Sequence, residues 1–165
     1  MSDLTLTIRS VKCRAVTAPL QRPVRTAVGT IPSAPLVLID LLTREGITGR
    51  AYIFAYNKVA LASLAQMVQA IGDELQGKAV TPVDRMAELE RQFRLLGWQG
   101  LIGMAIAGLD MALWDALSRA AGLPLARLLG GQPRAIPAYD SYGVVERSAD
   151  EATLARSVAS GRLTT

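Results

Sequence analysis

The chain has 165 residues, half of them hydrophobic and 19% charged, which fits one domain, or one domain and a piece of another, and excludes a disordered chain. Net charge is +4, and all but Lys12, Lys58 and Lys78 of the 18 basic residues are Arg scattered along the chain. With no basic run, nucleic-acid binding is not expected. Cys13 is the single cysteine, so no internal disulfide can form, and the chain contains no His, the commonest general base and zinc ligand.

Leu4, Leu6 and Ile8 alternate with polar neighbours, and Val11, Cys13 and Ala15 continue in a shifted phase. Period two predicts a strand, and the shift near Arg9 predicts a bulge or turn. Cys13 reads as a small core residue rather than a reactive thiol. Pro19 and Pro23 should break the strand. The stretch QRPVRTAVGT (21–30) reads as a loop with apolar tips at Val24, Ala27 and Val28. Those tips either pack on their own domain or form a flap over a site.

Leu36 to Leu42 and Ile47 to Phe54 are apolar, β-rich runs separated by a short turn with Gly46, which predicts a hairpin ending in FAYN. Three helices should follow. Asn57 caps the first, whose Leu61, Leu64, Val68, Ile71 and Leu75 step by three and four up to Gly77. Thr81 caps the second, with Pro82 at its first position, Met86, Leu89, Phe93 and Leu96 on its apolar face and Gly97 at its end. The third covers about Leu101 to Ala121 and stops at Gly122, with Pro124 beyond. Its apolar stretch is interrupted by Asp110 and Asp115 and falls short of the run of about 20 apolar residues that a membrane span needs, so no membrane contact is expected.

At 100° per residue, Asp110 and Asp115 lie about 140° apart on that helix, so they are not a paired acid/base site. Asp115 can pair with Arg119 at i, i+4, and Asp110 faces protein and needs donors there. Both are expected to anchor structure rather than perform chemistry. The tail from Arg134 reads as one strand, RAIPAYDSY, and one helix opened by Ser148 and Glu151, the size of a single β/α unit.

The segment AIAGLDMALWDALSRAAGLPLARLLGG (105–131) resembles the N-terminal capping domain of the mandelate racemase/muconate lactonizing enzymes of the enolase superfamily. The resemblance rests on Ala105, Ala107, Gly108, Leu109, Asp110, Ala112, Asp115, Arg119, Pro124, Leu125, Leu128, Leu129 and Gly130. PVRTAVGT and FAYN are similar to the two specificity loops of the family's racemases, APLVLIDL to the strand after the first loop, and AYDS to the first barrel strand.

The resemblance implies an α+β fold: an enolase-like capping domain (residues 1–132), an antiparallel sheet followed by a helical bundle, then one β/α unit of an incomplete TIM-like barrel (133–165). It implies a cytoplasmic homo-oligomer that, in complete form, uses Mg²⁺ to abstract the proton α to the carboxylate of a 2-hydroxy acid, as a racemase or dehydratase. Val24, Thr26, Val28, Tyr56 and Ser141 are the implied substrate-binding positions. The family's Lys-x-Lys, its metal carboxylates and its His base have no counterpart in these 165 residues, and one unit of eight cannot close a barrel. A truncated portion that is inactive alone, binds no metal itself and lacks its barrel partner is therefore expected. The alternative is a non-catalytic binding or oligomerisation module derived from that domain.

Overall fold

The structure, a computed structural model, describes residues 5–26 and 29–137. Three strands form one antiparallel sheet in the order β1 (Ile8–Thr26), β2 (Gly29–Thr43), β3 (Thr48–Phe54). Helices α1 (Lys58–Glu74), α2 (Pro82–Gln92), α3 (Leu101–Ala121) and the short α4 (Leu125–Leu128) follow. One compact unit comprises Met1–Ala18 and Ala34–Ala135, and the ribbon Pro19–Ser33 falls in a second.

The hairpin forms where the sequence places it. Leu36 pairs with Phe54 and Leu42 with Thr48, and Gly46 takes φ 86° in the turn, a conformation that favours glycine. Thr43 locks the turn: its amide and hydroxyl both donate to the Ile47 carbonyl, and the Ile47 amide donates back to the hydroxyl at 3.0 Å. Entering and along β1 the buried positions move from Leu6, just before the strand, and Ile8 to Val11, the change of phase that the shifted alternation predicts.

The stretch 21–30 differs from expectation. Instead of a loop, β1 runs through Pro19 and Pro23 to Thr26, and β2 starts at Gly29. The prolines are tolerated because β1 lies at the edge of the sheet, where a missing N–H need not break a ladder.

The helices form around their predicted caps. Asn57 Oδ1 accepts from the Val59 amide at 3.0 Å, and Leu64, Val68, Ile71 and Leu75 are buried. Thr81 stands at the N-cap of α2, but its hydroxyl makes no capping bond and is buried without a partner. Leu96 does not belong to the apolar face of α2. The helix ends at Gln92, the Leu96 and Gly97 amides both return to the Phe93 carbonyl, and Leu95 and Leu96 are left exposed. Residues 131–137 are exposed and irregular, not the start of a strand. The rest of the predicted tail strand and the helix opened by Ser148 lie outside the described residues.

α3 is the centre of the first unit. At 21 residues it is long and apolar enough to cross a bilayer. Here it packs against β3, α1, α2 and α4, and Ala105, Ile106, Leu109, Ala112, Leu113 and Ala116 are buried. Its small residues let the sheet approach closely. A Cβ placed on Gly49 of β3 would lie 2.0 Å from the Ala112 carbonyl oxygen and 2.8 Å from the Ala116 Cβ. Gly108 of α3 meets Ile39 and Ile53 in the same way.

The two acids of α3 have different fates. Asp115 Oδ2 accepts from Arg119 Nε at 2.6 Å, the predicted i, i+4 pair, and also from the Arg50 amide of β3 at 2.7 Å. That second bond ties the helix to the strand, a role spacing on the helix alone does not reveal. Asp110 Oδ1 is buried and has no partner. Loss of hydration pushes the Asp110 pKa up, and a hydrogen bond from Trp114 offsets this in part.

Two outcomes follow from this packing. Gly49→Ala should destabilise the chain by about 1–3 kcal/mol, because the obstacle is backbone and cannot rotate away; urea unfolding measures it. For Asp110 the raised folded-state pKa means that ionisation opposes folding, so the cost is present at neutral pH and relieved on acidification. Asp110→Asn should therefore raise Tm at pH 7, and the gain over wild type should shrink as pH falls into the usual carboxylate range.

Candidate functional site

Tyr56 has the least ordinary backbone in the described chain, at φ 58°, the only positive φ outside glycine among the described residues. For a bulky aromatic residue this left-handed conformation costs on the order of 1–3 kcal/mol, and the surroundings must enforce it. They do so from both sides. The Ala55 amide donates to the Pro35 carbonyl at 2.8 Å, and the Asn57 amide donates to the Ala55 carbonyl at 2.5 Å, closing a three-residue turn with Tyr56 at its centre. Asn57 then caps α1. The Tyr56 ring rests on Phe54, centroids 4.7 Å apart and planes tilted by 53°, yet the residue is 69% exposed. A strand end and a helix start thus hold an aromatic ring in solvent, an arrangement suited to covering a ligand rather than filling a core.

The other implied substrate positions can be placed only in part. Val24 lies near the end of β1 and is 43% exposed, an apolar side chain that its own unit does not bury. Thr26 is the last residue of β1. Val28 and Ser141 lie outside the described residues. The positive φ of Tyr56 had no sequence signal, since such conformations are ordinarily announced by Gly or Asn.

Nothing among the described residues assembles reactive groups. No three of His, Cys, Asp and Glu stand together as a metal site. The Cys13 thiol donates toward the Ala65 carbonyl and Gln69 Oε1, and burial together with nearby Asp73 pushes its pKa up, away from the nucleophilic thiolate. Lys78 pairs with Glu88, which also binds Arg85 Nη1 at 2.9 Å; these contacts hold the Glu88 carboxyl below its ordinary value. Such a network fastens α2 to the segment before it. The outer face of the sheet carries a shallow hollow of about 370 Å³, bounded by Arg14, Leu38, Asp40, Arg50 and Tyr52.

Comparison with known proteins bears on the fold and the family. Over residues 8–130 the chain matches the family described as mandelate racemase / muconate lactonizing enzyme, N-terminal domain. It is 31% identical over 144 residues to the L-talarate/galactarate dehydratase of Salmonella typhimurium, covering 82% of this chain and 36% of that protein. It is 52% identical over 92 residues to a D-galactonate dehydratase family member of Paenibacillus, covering 53% of this chain and 21% of that protein. Among solved structures, an enolase from Bradyrhizobium complexed with magnesium and mandelic acid is 55% identical with a TM-score of 0.88, covering 95% of this chain and 43% of that one. The chain spans about a third of the length of the dehydratase and under half of the enolase. The strands, helices and small-residue contact of α3 with β3 are those of a chain that belongs to the mandelate racemase/muconate lactonizing enzyme family, through its N-terminal domain.

Proposed function

We propose that these residues form the substrate-covering part of a magnesium-dependent enzyme that removes the proton α to the carboxylate of a 2-hydroxy acid, as a racemase or a dehydratase. The observation that carries the reading is 55% identity across 95% of the chain to the enolase complexed with magnesium and mandelic acid, an aromatic 2-hydroxy acid. The dehydratase relatives fit the same first step, because racemisation and dehydration both begin by breaking the Cα–H bond.

This chain's own contribution is binding and exclusion of water. Val24, Thr26 and Val28 would meet the substituent of the acid, and Val24 is already exposed. Tyr56 would lay its ring over the bound acid, with its backbone fixed in advance so that little ordering entropy is lost on binding. Ser141 would donate a hydrogen bond to the carboxylate. Proton transfer and the metal would belong to the barrel domain of the complete enzyme. The chain contains no His and no Lys-x-Lys, and the described residues hold no carboxylate cluster. In the complete enzyme the ion supplies positive charge against the negative charge that develops on the substrate carboxylate.

The test joins residues 1–137 to the barrel of the Bradyrhizobium relative and follows exchange of the mandelate Cα hydrogen with solvent deuterium in Mg²⁺. The fusion should exchange and the 165-residue chain alone should not; exchange by the chain alone would overturn the assignment of chemistry to the barrel. In the fusion, Tyr56→Ala should raise KM about tenfold, the worth of one aromatic contact of roughly 1.4 kcal/mol, with a smaller change in kcat.

A further inference from the structure

A strained backbone persists only where its surroundings outweigh the strain, and at Tyr56 burial does not supply the hold. The residue is 69% exposed, so packing of its own side chain contributes little to keeping φ at 58°. The hold comes from the residues on either side. Ala55 is buried, and its amide donates to the Pro35 carbonyl of β2, which pins the chain as it enters the turn. Asn57 pins it on the way out, in an extended conformation with φ −124° and ψ 132° directly before α1.

Three hydrogen bonds fix Asn57. Its amide donates to the Ala55 carbonyl, its carbonyl accepts from the Ala60 amide at 3.1 Å, and its Oδ1 accepts from the Val59 amide at 3.0 Å. The first two are main-chain bonds, open to almost any residue. The third needs an acceptor on a short side chain, as Asn, Asp, Ser and Thr provide. The side chain of Asn57 is therefore the part of this exit anchor that depends on residue type. A capping bond is comparable in worth to the strain of one left-handed residue. Without it the first turn of α1 frays, Asn57 is no longer fixed, and Tyr56 can relax to a negative φ that aims its side chain elsewhere.

We propose that Asn57 is a positioning residue for the substrate site: through its bond to the Val59 amide it holds Tyr56 left-handed and so aims the ring that covers the bound acid. The effect on substrate rests on the reading of Tyr56 as a cover, given under Proposed function. The hold on the backbone does not rest on it, and the two are measured separately.

Nuclear magnetic resonance of the 165-residue chain tests the hold. A positive φ brings a residue's amide and Cα protons together, so Tyr56 should show a strong Overhauser effect between them, together with ring-to-ring effects to Phe54. Asn57→Ala should weaken the first to the level of the neighbouring residues and remove the second, with far-ultraviolet circular dichroism unchanged. Asn57→Gly, which also lacks the acceptor but costs a helix start little, should do the same and serves as the second variant. Asn57→Asp and Asn57→Ser, which keep an acceptor, should look like wild type. Wild-type signals in the alanine and glycine variants, or loss of the signals in the aspartate and serine variants, would overturn the proposal. In the fusion with the barrel, Asn57→Ala should raise KM for mandelate by no more than the roughly tenfold loss of Tyr56→Ala, with kcat little changed, and Asn57→Ser should restore it. Added to Tyr56→Ala, Asn57→Ala should cost nothing further, because both act through one ring. An additive loss would show that Asn57 acts on the site by another route and would overturn its role in aiming Tyr56. A wild-type fusion without exchange would instead overturn the catalytic reading, and the spectra of the chain would still decide whether Asn57 holds Tyr56.

Discussion

The approach of α3 to β3 without intervening side-chain bulk is the constraint on which the rest of the first unit depends. Where Gly49 meets the Ala112 carbonyl there is no room for even a methyl group. Close approach lets a largely apolar helix bury Ile106, Leu109 and Leu113 against the sheet and its neighbouring helices at once, and dispersion gains rise steeply as such gaps close. It also brings Asp115 within reach of the Arg50 amide, so the same contact is sealed by a hydrogen bond that fixes the helix along the strand. The hairpin that supplies β3 ends at Phe54, and the turn holding Tyr56 hangs directly from it. A displacement of α3 would therefore be felt at the exposed ring.

Much of this was legible from residue patterns, because the relevant signals are local. Asn57, Pro82, Gly122 and the step of three and four along α1 report backbone chemistry within one or two turns, and the helices start or stop where those residues say. The hairpin was readable because Gly46 sits between two β-rich runs. Failures occurred where neighbours at a distance decide. Pro19 and Pro23 argue against a strand only if its amides must be paired, and the place of β1 at the sheet edge removes that requirement. Leu96 continues the apolar spacing of α2, but the helix has already ended through bonds to the Phe93 carbonyl. Thr81 has the right side chain at the right position and still makes no cap.

The candidate site was less legible than the fold. Its apolar and aromatic positions could be pointed to through the family resemblance, but Tyr56 carries no mark in the sequence of its left-handed backbone. The bond from Arg50 to Asp115 joins residues 65 apart, beyond any local rule. Asp110 was expected to find donors; Trp114 supplies one, and one carboxylate oxygen stays buried with none. A single sequence shows that a carboxylate lies among apolar residues, not which groups fold back to meet it.

The prolines of β1 have a consequence for how copies of this chain can meet. An unpaired strand at the rim of a sheet ordinarily invites another chain to extend the ladder, the route by which sheets grow into fibres. Pro19 and Pro23 have no amide hydrogen, so a docking strand would find a gap in its row of donors wherever one of them faces outward. Along this stretch open-ended stacking of strands is thereby discouraged, leaving closed contacts between finished surfaces as the easier way for the protein to assemble.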